Sequence, residues 1–160
     1  MLRAKPDLTA GEAAGGAAGW TAGGWPGRRA EAGMDERIRT ALWRNQLIDM
    51  TTTGRRSGQP RRIEIALHAI DGRLFISGQP APRKRAWIAN LEADPRLTIH
   101  LKGAVKVDLP ATARIITDEV ERRAILASIA AGWRRDPEPM VRASPLIEVA
   151  VEGPVPSAAA

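Results

Sequence analysis

The chain has 160 residues, 44% hydrophobic and 26% charged, with 24 Lys and Arg against 18 Asp and Glu for a formal net charge of +6. That composition suits one globular domain with its own core, and no apolar run nears the roughly 18 residues a bilayer crossing needs, so a transmembrane segment is excluded. With no cysteine, the chain has no disulfides, thiolate nucleophiles or cysteine metal sites, which is compatible with a cytoplasmic setting.

In chain order, residues 1–33 stand apart: they hold eight of the fifteen glycines and nine alanines, with no periodic apolar pattern. Such a stretch cannot offset its ordering entropy by burial, so a disordered extension is expected, with Trp20 and Trp25 as its odd feature and Met34 as a plausible start. No continuous apolar stretch follows its basic residues, so it does not read as a secretory signal. A helix is predicted over Asp35–Leu47, with Ile38, Ala41 and Leu42 on one face and Asp35 at its N-cap. Strands follow at Ile48–Thr53, at Arg62–Ile70 and, after the Asp71-Gly72 turn, at Leu74–Ser77. In the second of these, Ile63, Ile65 and Leu67 share one face, with Glu64 and His68 on the other.

Ala81–Asp94 reads as a helix carrying Trp87 and Leu91 and stopped by Asp94-Pro95. Leu97–Lys102 alternates as a strand, and Val105–Thr117 is one bent strand or a strand pair, with Pro110 implying a bulge or an edge. Asp118–Trp133 is the clearest helix, capped by Thr117 or Asp118, with Val120, Ala124, Ile125, Ser128 and Ile129 as its inner stripe. Arg134–Ala143, with two prolines, reads as a loop, Leu146–Val151 as the last strand, and 153–160 as a tail that frays. Antiparallel strands joined by short turns, with three helices, indicate an α+β barrel over 34–152.

The charge is concentrated. Arg55, Arg56, Arg61, Arg62, Arg73, Arg83, Lys84 and Arg85 face only Glu64 and Asp71 between residues 55 and 85, so this segment carries the whole excess. Four of these arginines flank the turn between the first two strands, where Gly54 and Gly58 can take positive φ and the Ser57-Gly58 step can turn amides outward. Guanidiniums around such a turn make a site for a phosphate or a carboxylate-rich tail; a solvated hairpin tip is the alternative.

Several chemistries lack their residues. There is no Gly-x-Gly-x-x-Gly, no P-loop lysine motif and no Gly-x-Ser-x-Gly elbow. His68 and His100 come without a metal-binding spacing and read as strand-surface residues. No nucleic-acid partner is expected: with no tyrosine and one phenylalanine, a stacking platform is missing, and charge on a hairpin tip suits one small anion better.

The string Thr51-Thr-Thr-Gly-Arg-Arg-Ser-Gly-Gln-Pro-Arg61 resembles the signature of the deazaflavin (F420)-dependent nitroreductase and quinone reductase family. Asp71-Gly-Arg-Leu-Phe-Ile-Ser-Gly78 and Arg83-Lys-Arg-Ala-Trp-Ile-Ala-Asn-Leu-Glu-Ala-Asp-Pro-Arg-Leu-Thr-Ile99 resemble its following strand, basic loop and helix. The likeness covers about residues 35–151. It implies a split β-barrel of about six mostly antiparallel strands with three flanking helices, related to FMN-binding pyridoxamine-phosphate-oxidase-like proteins. It implies F420 as cofactor, with FMN the runner-up, and hydride transfer from the reduced deazaflavin to a small conjugated electron acceptor such as a quinone. A non-catalytic carrier of F420 or FMN on the same fold is the alternative. By the same resemblance Arg55, Arg56, Ser57 and Arg61 hold the cofactor's phosphate and glutamate tail. Ser77 and Gly78 fall where the backbone approaches the ring, and Trp87 and Asn90 lie on the flanking helix. Such barrels often pair through exposed strands, so a homodimer is open to this chain.

Overall fold

The computed structural model describes residues 34–152, so the expectations for residues 1–33, Trp20 and Trp25 included, and for the tail 153–160 lie outside the described residues. Ten elements follow in order: α1 Glu36–Leu42, β1 Gln46–Thr53, β2 Pro60–Ile70, β3 Arg73–Ser77, α2 Ala86–Ala93, β4 Arg96–Lys102, β5 Lys106–Ile115, α3 Glu119–Trp133, α4 Pro137–Ala143 and β6 Leu146–Val151. The six strands close in the order β1-β2-β3-β6-β5-β4, each pair antiparallel. The α+β barrel is therefore the observed fold, with four helices among the described residues rather than three.

Alternation sets which side chains enter the barrel. Ile48 and Met50 of β1, Leu97, Ile99 and Leu101 of β4, and Leu109, Ala111 and Ala113 of β5 point inward and are buried. Leu42 from α1 and Trp87, Ile88 and Leu91 from α2 join the same core. A second core lies outside the wall, where Ile125, Leu126 and Ile129 of α3 and Met140 and Val141 of α4 pack on Phe75 and Leu146. Strand β6 is thus covered on both faces, and all six of its residues are buried. This double burial explains its nearly unbroken apolar run.

The differences from the predicted elements have local causes. Helix α1 stops at Leu42, not Leu47, because the Gln46 side chain turns back and donates to the carbonyls of Ala41 (2.7 Å) and Arg44 (3.2 Å). Leu47 then belongs to β1 and is 58% exposed. Helix α2 begins at Ala86 rather than Ala81, after Arg85, whose backbone is extended at φ −68° and ψ 143°; Pro80 and Pro82 disfavour helical conformation in the residues before them. Strand β5 is one strand, and Pro110 sits at a local edge: it pairs with Thr98 of β4, while the β6 register begins at Ala111. Arg134–Ala143, expected as a loop, contains α4, with Asp136 accepting from the Glu138 amide at 3.0 Å and Pro137 at the first helical position. In α3, Asp118 caps the Glu121 amide at 2.9 Å, but the inner stripe is Glu121, Ile125, Leu126, Ile129 and Ala130, and Val120 is 72% exposed.

His68 departs most from its expected surface position. Trp133, at the end of α3, lies over it with ring centroids 5.3 Å apart, and His68 is buried with its Nε2 lacking a hydrogen-bond partner. Burial pushes its pKa down to about 4. Because the folded value lies below the unfolded one, the unfolded chain takes the proton first as pH falls. Stability from this group is complete above about pH 6.5 and declines toward pH 4. Between pH 7 and pH 5 the loss is about 2 kcal/mol. His68→Phe will remove that part of the pH slope in urea titrations; an unchanged slope would show that His68 stays accessible to protons when folded.

Candidate functional site

The turn joining β1 to β2 is tied by Gly54 N–H donating to Gln59 O and Gly58 N–H donating to Gly54 O, each at 2.8 Å. Gly58 has φ +69°, and a Cβ on Gly54 would lie 2.7 Å from Ser57 Oγ and 3.2 Å from Gln59 O, so both positions need glycine. The Gln59 amide donates to Ser57 Oγ at 3.1 Å. The amides of Gly54, Gly58 and Gln59 are thus used within the turn, and the outward pair of amides expected at Ser57-Gly58 loses its Gly58 member.

What the turn presents instead is side-chain charge. Arg55, Arg56 and Arg61 are exposed, and their guanidiniums make no hydrogen bond or ion pair to any described residue. Arg62 is different: its Nε donates to Asp49 at 3.0 Å, and Lys102 bridges Asp49 and Glu64 beside it. Hydrogen bonds from Lys102 and then Arg62 hold the Asp49 carboxyl below its ordinary pKa. Three free guanidiniums therefore remain on the turn.

Helix α2 holds this turn from behind. The Arg55 amide donates to Asn90 Oδ1 at 3.0 Å, and Asn90 Nδ2 donates to Thr52 Oγ1 at 3.1 Å. Asn90 is 4% exposed and Trp87 7%. The turn, the start of β2 and α2 enclose a cleft of about 570 Å³ lined by Arg55, Arg56, Ser57, Arg61, Trp87 and Asn90. It also contains Arg62 and, among the described residues, no carboxylate. An anionic group entering it meets several multidentate donors and no repelling charge. The fold thus brings six of the eight expected residues together, with Asn90 acting as the brace of the turn; Thr52, which anchors Asn90, went unnoticed in the sequence.

Ser77 and Gly78 lie elsewhere. Ser77 is fully buried and its hydroxyl donates to Pro145 O at 2.7 Å. Gly78 packs against Pro145, whose Cγ would be 3.6 Å from an added Cβ, and against Ile65 on β2. Ile65 shares its strand face with Ile63, a wall of the cleft, so Gly78 follows along the same side of the barrel.

Neither histidine lines the cleft. His100, also buried rather than on the surface, donates from Nδ1 to Asp108 at 2.7 Å and has Nε2 2.7 Å from Thr51 Oγ1. This hydroxyl–imidazole–carboxylate chain sits mid-strand on the outer wall, where ladder pairing on both sides of Thr51 leaves no amides to stabilise an oxyanion. Among the described residues no group of three or more His, Asp or Glu could hold a metal ion, and no helix is long and apolar enough to cross a membrane.

An antiparallel barrel with a basic hairpin cleft defines a split-barrel ligand-binding protein, and solved structures share that fold. A candidate pyridoxamine 5'-phosphate oxidase from Listeria innocua matches with TM-score 0.56 at 13% identity, covering 73% of this chain and 92% of that one. The heme storage protein HutZ from Vibrio cholerae matches with TM-score 0.55 at 12% identity, over 74% and 90%. A FAD-binding protein from Mesorhizobium loti matches with TM-score 0.50 at 15% identity, over 72% and 87%. These likenesses are of fold, and one fold can carry different ligands. The family is set by sequence: residues 28–152 match the F420H(2)-dependent quinone reductase model, and the chain belongs to that family. It is an F420-dependent reductase. The unpaired guanidiniums of Arg55, Arg56 and Arg61 and the Ser57 hydroxyl fit the phosphate and glutamate tail of that cofactor.

Proposed function

We propose that this reductase acts on a small conjugated acceptor such as a quinone, with the cofactor's anionic tail on the basic hairpin and its ring toward Gly78. The observation that carries this reading is the set of three unpaired arginines around a turn braced by Asn90. When bound and reduced, F420 supplies a hydride; with a solvent proton the quinone becomes a hydroquinone, and the cofactor is left oxidised. The chain's own residues bind, orient and exclude water. Arg55, Arg56, Arg61 and Ser57 hold phosphate and carboxylate oxygens, Asn90 fixes the turn through the Arg55 amide, and Trp87 forms a rigid wall. Ser77, locked onto Pro145, sets the backbone that leads into Gly78. No side-chain nucleophile is needed, which accounts for histidines that serve packing instead.

In this reading the enzyme works in the cytoplasm, with residues 34–152 as its cofactor-binding domain. The barrel is closed, so a homodimer would use faces of the molecule rather than strand edges. Titrating the full chain with F420, then FMN, by fluorescence at two salt concentrations tests the site. F420 binding weakened by salt, weak FMN binding and oxidation of reduced F420 by menadione are the expected results. Tighter FMN binding, or no turnover of any quinone, would overturn the reading.

A further inference from the structure

Helix α2 borders a second cleft, of about 510 Å³, through Ile88 and Glu92, while Trp87 and Asn90 line the first. Its other walls are the segment before α2, the end of β5, and the chain from Arg142 to Leu146. Pro145, which packs against Gly78 and accepts from Ser77, belongs to this cleft. The two clefts therefore meet the barrel on either side of one helix.

The lining has an unusual balance. Among the described residues, five cationic side chains, Arg83, Lys84, Arg85, Arg122 and Arg142, stand against one carboxylate, Glu92, and Lys84 already takes both Glu92 oxygens at 2.9 Å. Arg122 spends its donors on backbone carbonyls, including Ser144 O at 2.7 Å and Val141 O at 2.9 Å, so no carboxylate offsets its charge. The guanidiniums of Arg83 and Arg142 make no hydrogen bond or ion pair to any described residue. Two buried polar atoms here are also left over: Ser144 Oγ and Arg85 Nε have no partner, although Arg85 Nη2 donates to Gln79 O at 2.9 Å. Buried polar atoms without partners are rare and call for an explanation. Between the cations the wall is apolar, formed by Ile88, Ile115 and Leu146.

We infer that the second cleft receives the electron acceptor and that the acceptor carries an anionic group, a carboxylate or phosphate, on a flat apolar body. The apolar wall takes the body, and Arg83 and Arg142 take the anion. The assignment of the ligand as the acceptor rests on the proposed function; the charge preference rests on the cleft alone. Fixed positive charge there also favours reduction of the acceptor, because negative charge grows on it as the hydride arrives.

The test compares 2-naphthoate with its neutral relative 2-naphthamide, binding to the cofactor-free full chain by calorimetry. Naphthoate is expected to bind at least about tenfold tighter, a preference that Arg83→Ala with Arg142→Ala removes and Arg55→Ala with Arg56→Ala keeps. In turnover with reduced F420, the first double variant is expected to raise KM for 1,4-naphthoquinone-2-sulfonate at least about tenfold while leaving KM for menadione in place. Equal binding of naphthoate and naphthamide, or a preference lost only with the Arg55 and Arg56 substitutions, overturns the inference. Calorimetry without cofactor keeps this result separate from the F420 titration, whose failure would count against the proposed function instead.

Discussion

Glu148→Ala will lower the unfolding free energy by about 3–5 kcal/mol, the cost typical of breaking a buried ion pair from one side. Glu148 is 3% exposed on the outer face of β6. Its Oε1 accepts from Arg73 Nη2 and from Arg114 Nη2, each at 2.7 Å, and its Oε2 accepts from Arg73 Nε at 2.8 Å. Arg114 also donates to Glu121 Oε2 at 2.6 Å, and Arg73 lies 5.1 Å over the Phe75 ring. Two carboxylates and two guanidiniums thus join β3, β5, β6 and α3. Removing Glu148 leaves two buried cations sharing Glu121. Replacing both members of one pair, Arg114→Met with Glu148→Leu, should cost less than Glu148→Ala alone, because no charge is then stranded.

The same residue sets an acid limit. Burial raises the Glu148 carboxyl, but the hydrogen bonds and charges of Arg73 and then Arg114 outweigh it and hold the folded pKa below the ordinary value. A depressed carboxyl stabilises the fold above the unfolded pKa, and that contribution is lost as pH falls through the folded pKa. Urea unfolding at pH 7 and below pH 4 should show the wild type approaching the Glu148→Ala variant in acid. A cost under about 1 kcal/mol at pH 7 would mean that the network is solvated and carries little stability.

The second large effect is on binding. Arg55→Ala with Arg56→Ala should weaken F420 by about 2–4 kcal/mol, or about thirty- to a thousandfold, through loss of charge-assisted contacts to the cofactor's tail. Both guanidiniums are exposed and unpaired, so the melting temperature should hold. The salt dependence of the remaining binding should flatten, since the variant lacks the charges that salt screens. Unchanged F420 affinity in a fluorescence titration would return the hairpin to a solvated tip.

Much of this was readable along the chain. Alternation placed Ile63, Ile65 and Leu67 on one face of β2 and Leu97, Ile99 and Leu101 on one face of β4, and Gly54, Gly58 and Asp71-Gly72 placed the turns. The eight cations between Arg55 and Arg85 pointed toward an anion, although Arg62, Arg73 and Lys84 are paired with carboxylates of the protein itself. Helix α4 was also signalled, by Asp136-Pro137 as cap and first turn, but its two prolines read as a linker. Beyond that, local pattern ceased to discriminate. His68 alternates like a surface residue, and only Trp133, arriving from the end of α3, buries it. Asn90 belongs to a recognisable helix motif, yet its grip on the Arg55 amide exists only once α2 lies behind the first hairpin.

By itself the sequence determined the barrel's strands, the family and the basic hairpin, because period-two burial and turn chemistry act over a few neighbouring residues. Tertiary structure alone decided which arginines are free and which are spent. Arg62 is neutralised across the sheet by Asp49, Arg73 and Arg114 are consumed by Glu148 and Glu121, and Arg55, Arg56, Arg83 and Arg142 are left facing two clefts. The reason is physical: a guanidinium's partners are fixed by distances of about 3 Å in space, which closure of the barrel sets and spacing along the chain does not.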